Sequence, residues 1–412
     1  MRDVGPVMLN VVRRLVKWGH AVKPGSTRSN VRTIAVASGA TLVVTLPPYF
    51  SGVLVLQLTN DLRFGVAAFG AATAVHYGVG AGLSFHAGRV VDVLGAARSL
   101  RIAMLLTTLS SFGIGYATTN WFGLAAFLAL GGASHAFCQP AVNRLIVNRI
   151  GLQTMGLAFG VKQSAPPVGS LLAGLIVPAM AFALGWQSTF YLSAVLSLLV
   201  MLLVGRPQVP PAGLSERKKR APLAQRNLLL WLTLAFSFAV GANAATLAFY
   251  VDSAVTAGTT QQRAGLFFAV ASVVSVATRI TAGLALDRTT IVPLKLVASL
   301  VGAGAAGFLL LATQRTGLMV VGVVLALGLN WGFPSAFWIG LMRAYPQEPG
   351  RITGAMQPGG FGAMIVPLLF GILVESLGYT FAWLMLFGIS VVSTCVFWYC
   401  ASRLGVHATD AG

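Results

Sequence analysis

The sequence predicts an all-α membrane protein of twelve transmembrane helices in two pseudo-symmetric six-helix bundles. Three observations point there: an apolar chain with sparse charge, twelve apolar runs of spanning length, and an internal repeat. Of 412 residues, 56% are hydrophobic and 9% are charged, against about 25% charged in a soluble domain. Mean hydropathy is +0.81, which makes lipid the main solvent. The 47 glycines agree, because small residues let membrane helices approach closely.

Apolar runs of roughly 20 residues fall first at 33–58, 64–87, 99–118, 121–147, 155–182 and 187–205. The second set is 228–252, 263–286, 291–313, 318–342, 352–376 and 379–402. The chain therefore divides into an N-terminal segment (1–32), a first six-helix bundle (33–205), a linker (206–227), a second bundle (228–402) and a tail (403–412). The linker is polar, proline-bearing and basic, as a boundary between bundles should be. In the N-terminal segment Val4, Val7, Met8, Val11, Leu15 and Trp18 recur at helical spacing, with Asn10, Arg13, Arg14 and Lys17 mostly on the other side. That pattern suits an amphipathic helix lying on the membrane surface; an organelle transit peptide is the other reading.

An even number of spans puts both termini on one side, and the distribution of Lys and Arg chooses that side. The N-terminal tail, the linker, the loops on their face and the C-terminal tail hold 23 basic residues, Arg89, Arg98, Arg144, Arg288, Arg343 and Arg351 among them. The opposite face has Arg63, Arg263 and Arg315. Both termini and the linker are expected in the cytoplasm, with the protein in the cell (inner or plasma) membrane. The net charge of +19 then reads as topology and contact with anionic lipid, not as a nucleic-acid site. Cys138, Cys395 and Cys400 offer neither a disulfide framework nor a metal spacing. No nucleophile–base set or phosphate loop is present, so an enzyme is disfavoured and no cofactor is expected.

The halves repeat at an offset of roughly 200 residues. Arg63-Phe-Gly matches Arg263-Ala-Gly, and the Ala87-Gly88 to Asp92 stretch matches Ala282-Gly283 to Asp287. Leu128-Ala-Leu-Gly131 matches Leu325-Ala-Leu-Gly328, and Gly160-Val-Lys-Gln163 matches Gly354-Ala-Met-Gln357. Between the second and third spans, Gly88-Arg-Val-Val-Asp92-Val-Leu-Gly95-Ala-Ala-Arg98 resembles the signature loop of the major facilitator superfamily, roughly G-x-L-x-D-R-x-G-R-R. Gly88, Asp92, Gly95 and Arg98 match, while Val93 replaces the usual arginine and Ala96 and Ala97 thin the basic cluster. Asp287-Arg288 is the second-half echo.

The resemblance implies two bundles around a central cavity that opens alternately to each side. It also implies a cytoplasmic gate at Gly88, Asp92, Gly95, Arg98, Asp287 and Arg288. The stretches around Asn143-Arg144 and Phe159 to Gly169 look like the cyanate-permease and organic-anion groups. Arg279, on the eighth span, sits where monocarboxylate and oxalate/formate transporters carry a substrate-binding arginine. Ala165-Pro166-Pro167-Val168-Gly169-Ser170 partly matches the proline-glycine motif of drug exporters.

Two basic residues fall inside spans. Arg279 lies ~12 Å inside the end marked by Asp287, and Lys162 ~10 Å inside the start of its span. An arginine at a helix centre costs about 2.5–3.5 kcal/mol even on a lenient insertion scale. Snorkelling to the interface is the bland reading of both, and Lys162 is the better placed for it. No acid lies beside either in sequence, so an anion between the two cations would relieve their repulsion. Gln163 and Gln357 occupy equivalent repeat positions, and amides in apolar helices need partners. Tyr49 follows Pro47-Pro48, which should kink the first span and free backbone carbonyls near the cavity. Asn243, His135, Asn330 and Trp331 complete the candidate set; each could equally be glue between helices. His76 could titrate with proton movement, although a lone histidine in a span is more often a packed residue.

The function expected is secondary active transport of a small organic anion, a monocarboxylate first, with protons as a candidate co-substrate and a monomer as the working unit. An exporter of neutral or anionic drugs or metabolites is the first alternative. A membrane receptor that keeps the fold without transport is the second.

Overall fold

The computed structural model describes residues 27–205, 226–345 and 348–409. The expected amphipathic segment and nearly all of the expected linker lie outside the described residues. No strand occurs among those described, and twelve crossings follow one another. Span 1 is Thr27–Val53 continued by Val55–Asp61, span 2 is Val66–Leu94, span 3 is Ala96–Ala117 and span 4 is Trp121–Arg149. Span 5 joins Met155–Gln163 to Ala165–Leu184, and span 6 is Gln187–Leu203. Span 7 is Arg226–Thr256, span 8 is Gln261–Arg288 and span 9 is Pro293–Ala312. Span 10 joins Thr316–Gly328 to Pro334–Ala344, span 11 joins Pro349–Met356 to Gly362–Leu377, and span 12 is Tyr379–Thr409. Among the described residues, nine helices are long and apolar enough to cross a membrane by length and composition.

Local chemistry explains the ends and breaks. Gly95 turns the chain between spans 2 and 3 at φ 84°, a left-handed conformation that strains any residue with a Cβ. Asn120 accepts from the Gly123 amide at 3.0 Å and caps span 4. Spans 10 and 11 are interrupted by 3-10 turns, Asn330–Gly332 and Gln357–Phe361. The halves of spans 5 and 10 restart with Pro166-Pro167 and Pro334, which lack an N–H that the first turn would leave unpaired anyway.

Several helices outrun the apolar windows. Span 2 passes the expected end at Ala87 to Leu94, and span 12 passes 402 to Thr409, because charge ends an apolar run without ending a helix. The expected kink at Pro47-Pro48 is displaced: one helix runs through both prolines, the Pro47 carbonyl accepts the Ser51 hydroxyl at 2.8 Å, and the interruption comes at Leu54.

Large apolar side chains such as Phe182 and Leu175 are exposed, as the lipid-facing surface of a spanning bundle should be. Inside, backbones approach at glycine. Gly132 of span 4 packs against the His76 carbonyl of span 2, and Gly307 of span 9 against the Gly322 carbonyl of span 10. The buried apolar core also shows how the halves meet. One cluster runs through the first half and takes in Leu232, Leu286, Phe337, Ile352 and Phe397, all toward the basic face of the second half. The far end of the second half, with Tyr250, Phe308, Phe370 and Trp383, forms a cluster of its own. The halves are fused at the basic face.

Candidate substrate site and gate

Two seams join the halves near the basic face. In the first, spans 5 and 8 meet at Gly156 and Gly283, so close that a Cβ on either would collide with the other's carbonyl. The Asp287 carboxylate spans the start of helix Met155–Gln163: Oδ1 accepts from the Gly156 amide and Oδ2 from the Leu157 amide, both at 2.7 Å. First-turn amides have no partner within their helix, and the helix dipole favours an anion there. Arg343, from the end of span 10, stands 3.4 Å from Oδ1. Asp287 is half-buried, and two amides and a guanidinium serve it.

In the second seam, spans 2 and 11 meet at Gly88, where a Cβ would strike the Gly350 carbonyl. Asp92 Oδ2 accepts from the Arg351 amide at 2.9 Å, and Oδ1 pairs with Arg144 Nη1, from the end of span 4, at 2.8 Å. Of the other residues expected at the gate, Gly95 forms the turn, while Arg98 and Arg288 are exposed. The sequence marks Arg343 only as topological charge, and Arg144 also as part of the Asn143-Arg144 stretch that resembles the organic-anion groups. Their place near the ends of spans 4 and 10 in a repeated chain was the signal that could have paired them with the aspartates.

About two turns further in lies the pair of buried cations. Lys162 is 0% exposed, and Arg279 is 2% exposed. Lys162 Nζ donates to Gln139 Oε1 at 2.6 Å and to Asn143 Oδ1 at 3.3 Å. Asn143 passes the chain on, donating to Thr353 Oγ1 of span 11 at 2.9 Å. Arg279 Nε and Nη2 donate to the Trp331 carbonyl at 2.9 and 2.6 Å, and Nη1 donates to the Gln163 carbonyl. The guanidinium also lies 4.7 Å from the Trp331 ring centroid, a cation–π placement. Among the described residues neither cation forms a salt bridge. Lysine has three donors and arginine five, so both retain unspent N–H groups.

The other candidates divide. Tyr49 is within electrostatic range of Arg279, and His135 within that of Lys162. Gln163 contributes its carbonyl to the cluster, and Trp331 its carbonyl and ring. The Gln357 amide makes no side-chain hydrogen bond among the described residues. Asn243 donates to Ala239 O at 2.8 Å within its own helix, and its Oδ1 is buried without a partner among the described residues. Asn330 reaches Val301 O and Ser390 Oγ at 3.4 Å and packs against Gly304, a helix-to-helix contact away from the cations. Gln139 and Thr353 escaped the sequence reading; Gln139 lies four residues from both His135 and Asn143, and that common helix face could have revealed it.

Twelve spans in two related halves, closed on one face by paired seams, define a membrane protein of the two-bundle class. The family model of the Major Facilitator Superfamily matches residues 33–360, and the chain belongs to that superfamily. An uncharacterised MFS-type transporter of Mycobacterium tuberculosis (strain CDC 1551 / Oshkosh) is 23% identical over 300 residues, which cover 68% of this chain and 66% of that relative. The chain thus spans just under two thirds of the length of the curated relatives it matches. Among solved structures, the outward conformation of FucP, the E. coli fucose:proton symporter, superposes with a TM-score of 0.74 at 17% identity, covering 91% of this chain and 99% of that one. The proton:xylose symporter XylE gives 0.72 at 14% identity, covering 91% and 96%. The human organic anion transporter MFSD10 gives 0.68 at 14%, covering 89% and 99%. At these identities the likeness establishes the fold.

Proposed function

We propose that the protein is a secondary transporter of a small organic anion, a monocarboxylate first, working by alternating access with Lys162 and Arg279 as the anion's positive contacts. One observation carries the reading: two cations buried on facing spans of opposite halves have only neutral partners. Removing a charge from water costs several kcal/mol unless a counter-charge repays it. A carboxylate placed between them would supply that charge and use the unspent donors. Arginine presents a planar fork that fits a carboxylate in bidentate fashion, and lysine a point charge.

With the basic face in the cytoplasm, as the positive-inside rule requires, the two seams close the cytoplasmic side beneath the anion site. The test is uptake of radiolabelled lactate, pyruvate and oxalate into proteoliposomes. Arg279→Gln should abolish uptake, and Arg279→Lys should impair it despite keeping the charge. A snorkelling arginine predicts that Arg279→Lys is silent; a folded Arg279→Gln protein with wild-type flux would end the proposal.

A further inference from the structure

Span 4 carries His135, Gln139 and Asn143 at four-residue intervals, which places them one above another on one helix face. The lower two hold Lys162 Nζ, at 2.6 and 3.3 Å. The top one, His135, is partly exposed and faces a second imidazole: the rings of His76 and His135 stand 6.4 Å apart at 79°. His76 is 1% exposed. Its Nδ1 lies 3.0 Å from the Leu128 carbonyl. A carbonyl only accepts, so Nδ1 carries the proton of the neutral ring and Nε2 presents a lone pair. That Nε2 is buried and has no partner among the described residues. A buried acceptor without a donor is a costly feature that calls for an explanation.

We infer that the His76–His135 pair is a proton-binding site coupled through Lys162 to the anion site, which deepens the transport reading above and rests on it. The groups around the pair set the sign of the coupling. Span 2 itself adds the neutral Tyr77, whose ring lies 5.1 Å from His76. Span 5 adds the positive Lys162, within electrostatic range of His135. Among the described residues, the acids of the first half are elsewhere: Asp92 is engaged at the gate by Arg144, and Asp61 accepts from Trp186 Nε1 at 2.7 Å at the opposite face. With Lys162 unneutralised, a proton on either ring would add a second positive charge beside it. An anion against Lys162 removes that repulsion. The Nε2 lone pair then takes a proton from water through the partly exposed His135, and releases it when the anion leaves. Anion and proton therefore bind together, and a monoanion crosses without net charge.

A substrate-free experiment separates this inference from the anion reading. Gln139→Glu would set a carboxylate against Lys162 Nζ, in the place of an amide oxygen 2.6 Å away, and so imitate a bound anion. Lys162→Gln would remove the charge. ¹⁵N-histidine NMR of the full chain in nanodiscs, with signals assigned by His76→Gln and His135→Gln, reads ring protonation directly. In the wild type both rings are expected neutral at pH 7, with the His76 proton on Nδ1. In each folded variant the pair should bind a proton about tenfold more tightly, one pH unit in midpoint. A ring already charged at pH 7 in the wild type overturns the inference, as do unchanged titrations in both variants. The anion reading fails by a different result, if lactate, pyruvate and oxalate all leave the wild-type protein unbound.

Discussion

The seam between spans 5 and 8 and the seam between spans 2 and 11 are built alike at the rim and unlike two turns further in. At the rim each has a glycine-on-glycine contact, an aspartate of one half at a helix start of the other, and an arginine from the end of span 4 or 10. Further in, the repeat register sets Ser84 opposite Arg279 and Met356 opposite Lys162. Ser84 Oγ stands 3.5 Å from the Gly354 carbonyl, whereas Arg279 donates to the carbonyl of Gln163. Fusion of the halves is thus duplicated, and the charge is not. A symmetric fold needs two matching seams to close one face, but one anion needs only one cationic seam.

The largest expected effect breaks that comparison at the charged position. Arg279→Gln should abolish flux, while Ser84→Ala at the equivalent position should leave it within about twofold, since a 3.5 Å contact is a weak hydrogen bond. Flux in proteoliposomes checks both, and equal losses would remove the asymmetry.

Next in size are the rim aspartates. Hydrogen bonds to a charged group contribute about 1.5–3 kcal/mol, so Asp287→Asn and Asp92→Asn should each loosen the closed basic face, equivalent to roughly ten- to a hundredfold in the open population. Cysteines at Val161 and Ala355 would become reactive from that face. Opening after only one of the two substitutions would show that a single seam carries the closure.

Smaller still are the glycine contacts. Gly156→Ala and Gly88→Ala put a methyl into a facing carbonyl, whereas a Cβ at Gly82 has open space. Overpacking costs about 1–3 kcal/mol, so the first two should lower the melting temperature by a few degrees, with Gly82→Ala silent. A silent Gly156→Ala would mean that the seam is slack.

The twelve crossings were legible because apolar length is a one-dimensional property that lipid imposes directly. The helix ends were less so, since Arg89 and Asp92 close an apolar window while the helix continues to Leu94. Lys162 and Arg279 stood out in sequence as charges where lipid penalises them. Their partners did not: Gln139, Asn143 and Thr353 are ordinary polar residues, and only packing of span 4 against spans 5 and 11 joins them. Arg144 and Arg343 hid among 23 basic residues that topology already explained.

The central claim is that Lys162 and Arg279 hold a carboxylate, and direct binding to purified, monodisperse protein tests it. Titration calorimetry with lactate, pyruvate and oxalate should find at least one ligand for the wild type. For that ligand Lys162→Gln should weaken binding by roughly ten- to a hundredfold, the loss of one charged hydrogen bond, and Arg279→Lys should weaken it although the charge remains. Wild-type affinity in folded Lys162→Gln and Arg279→Lys proteins would contradict the account.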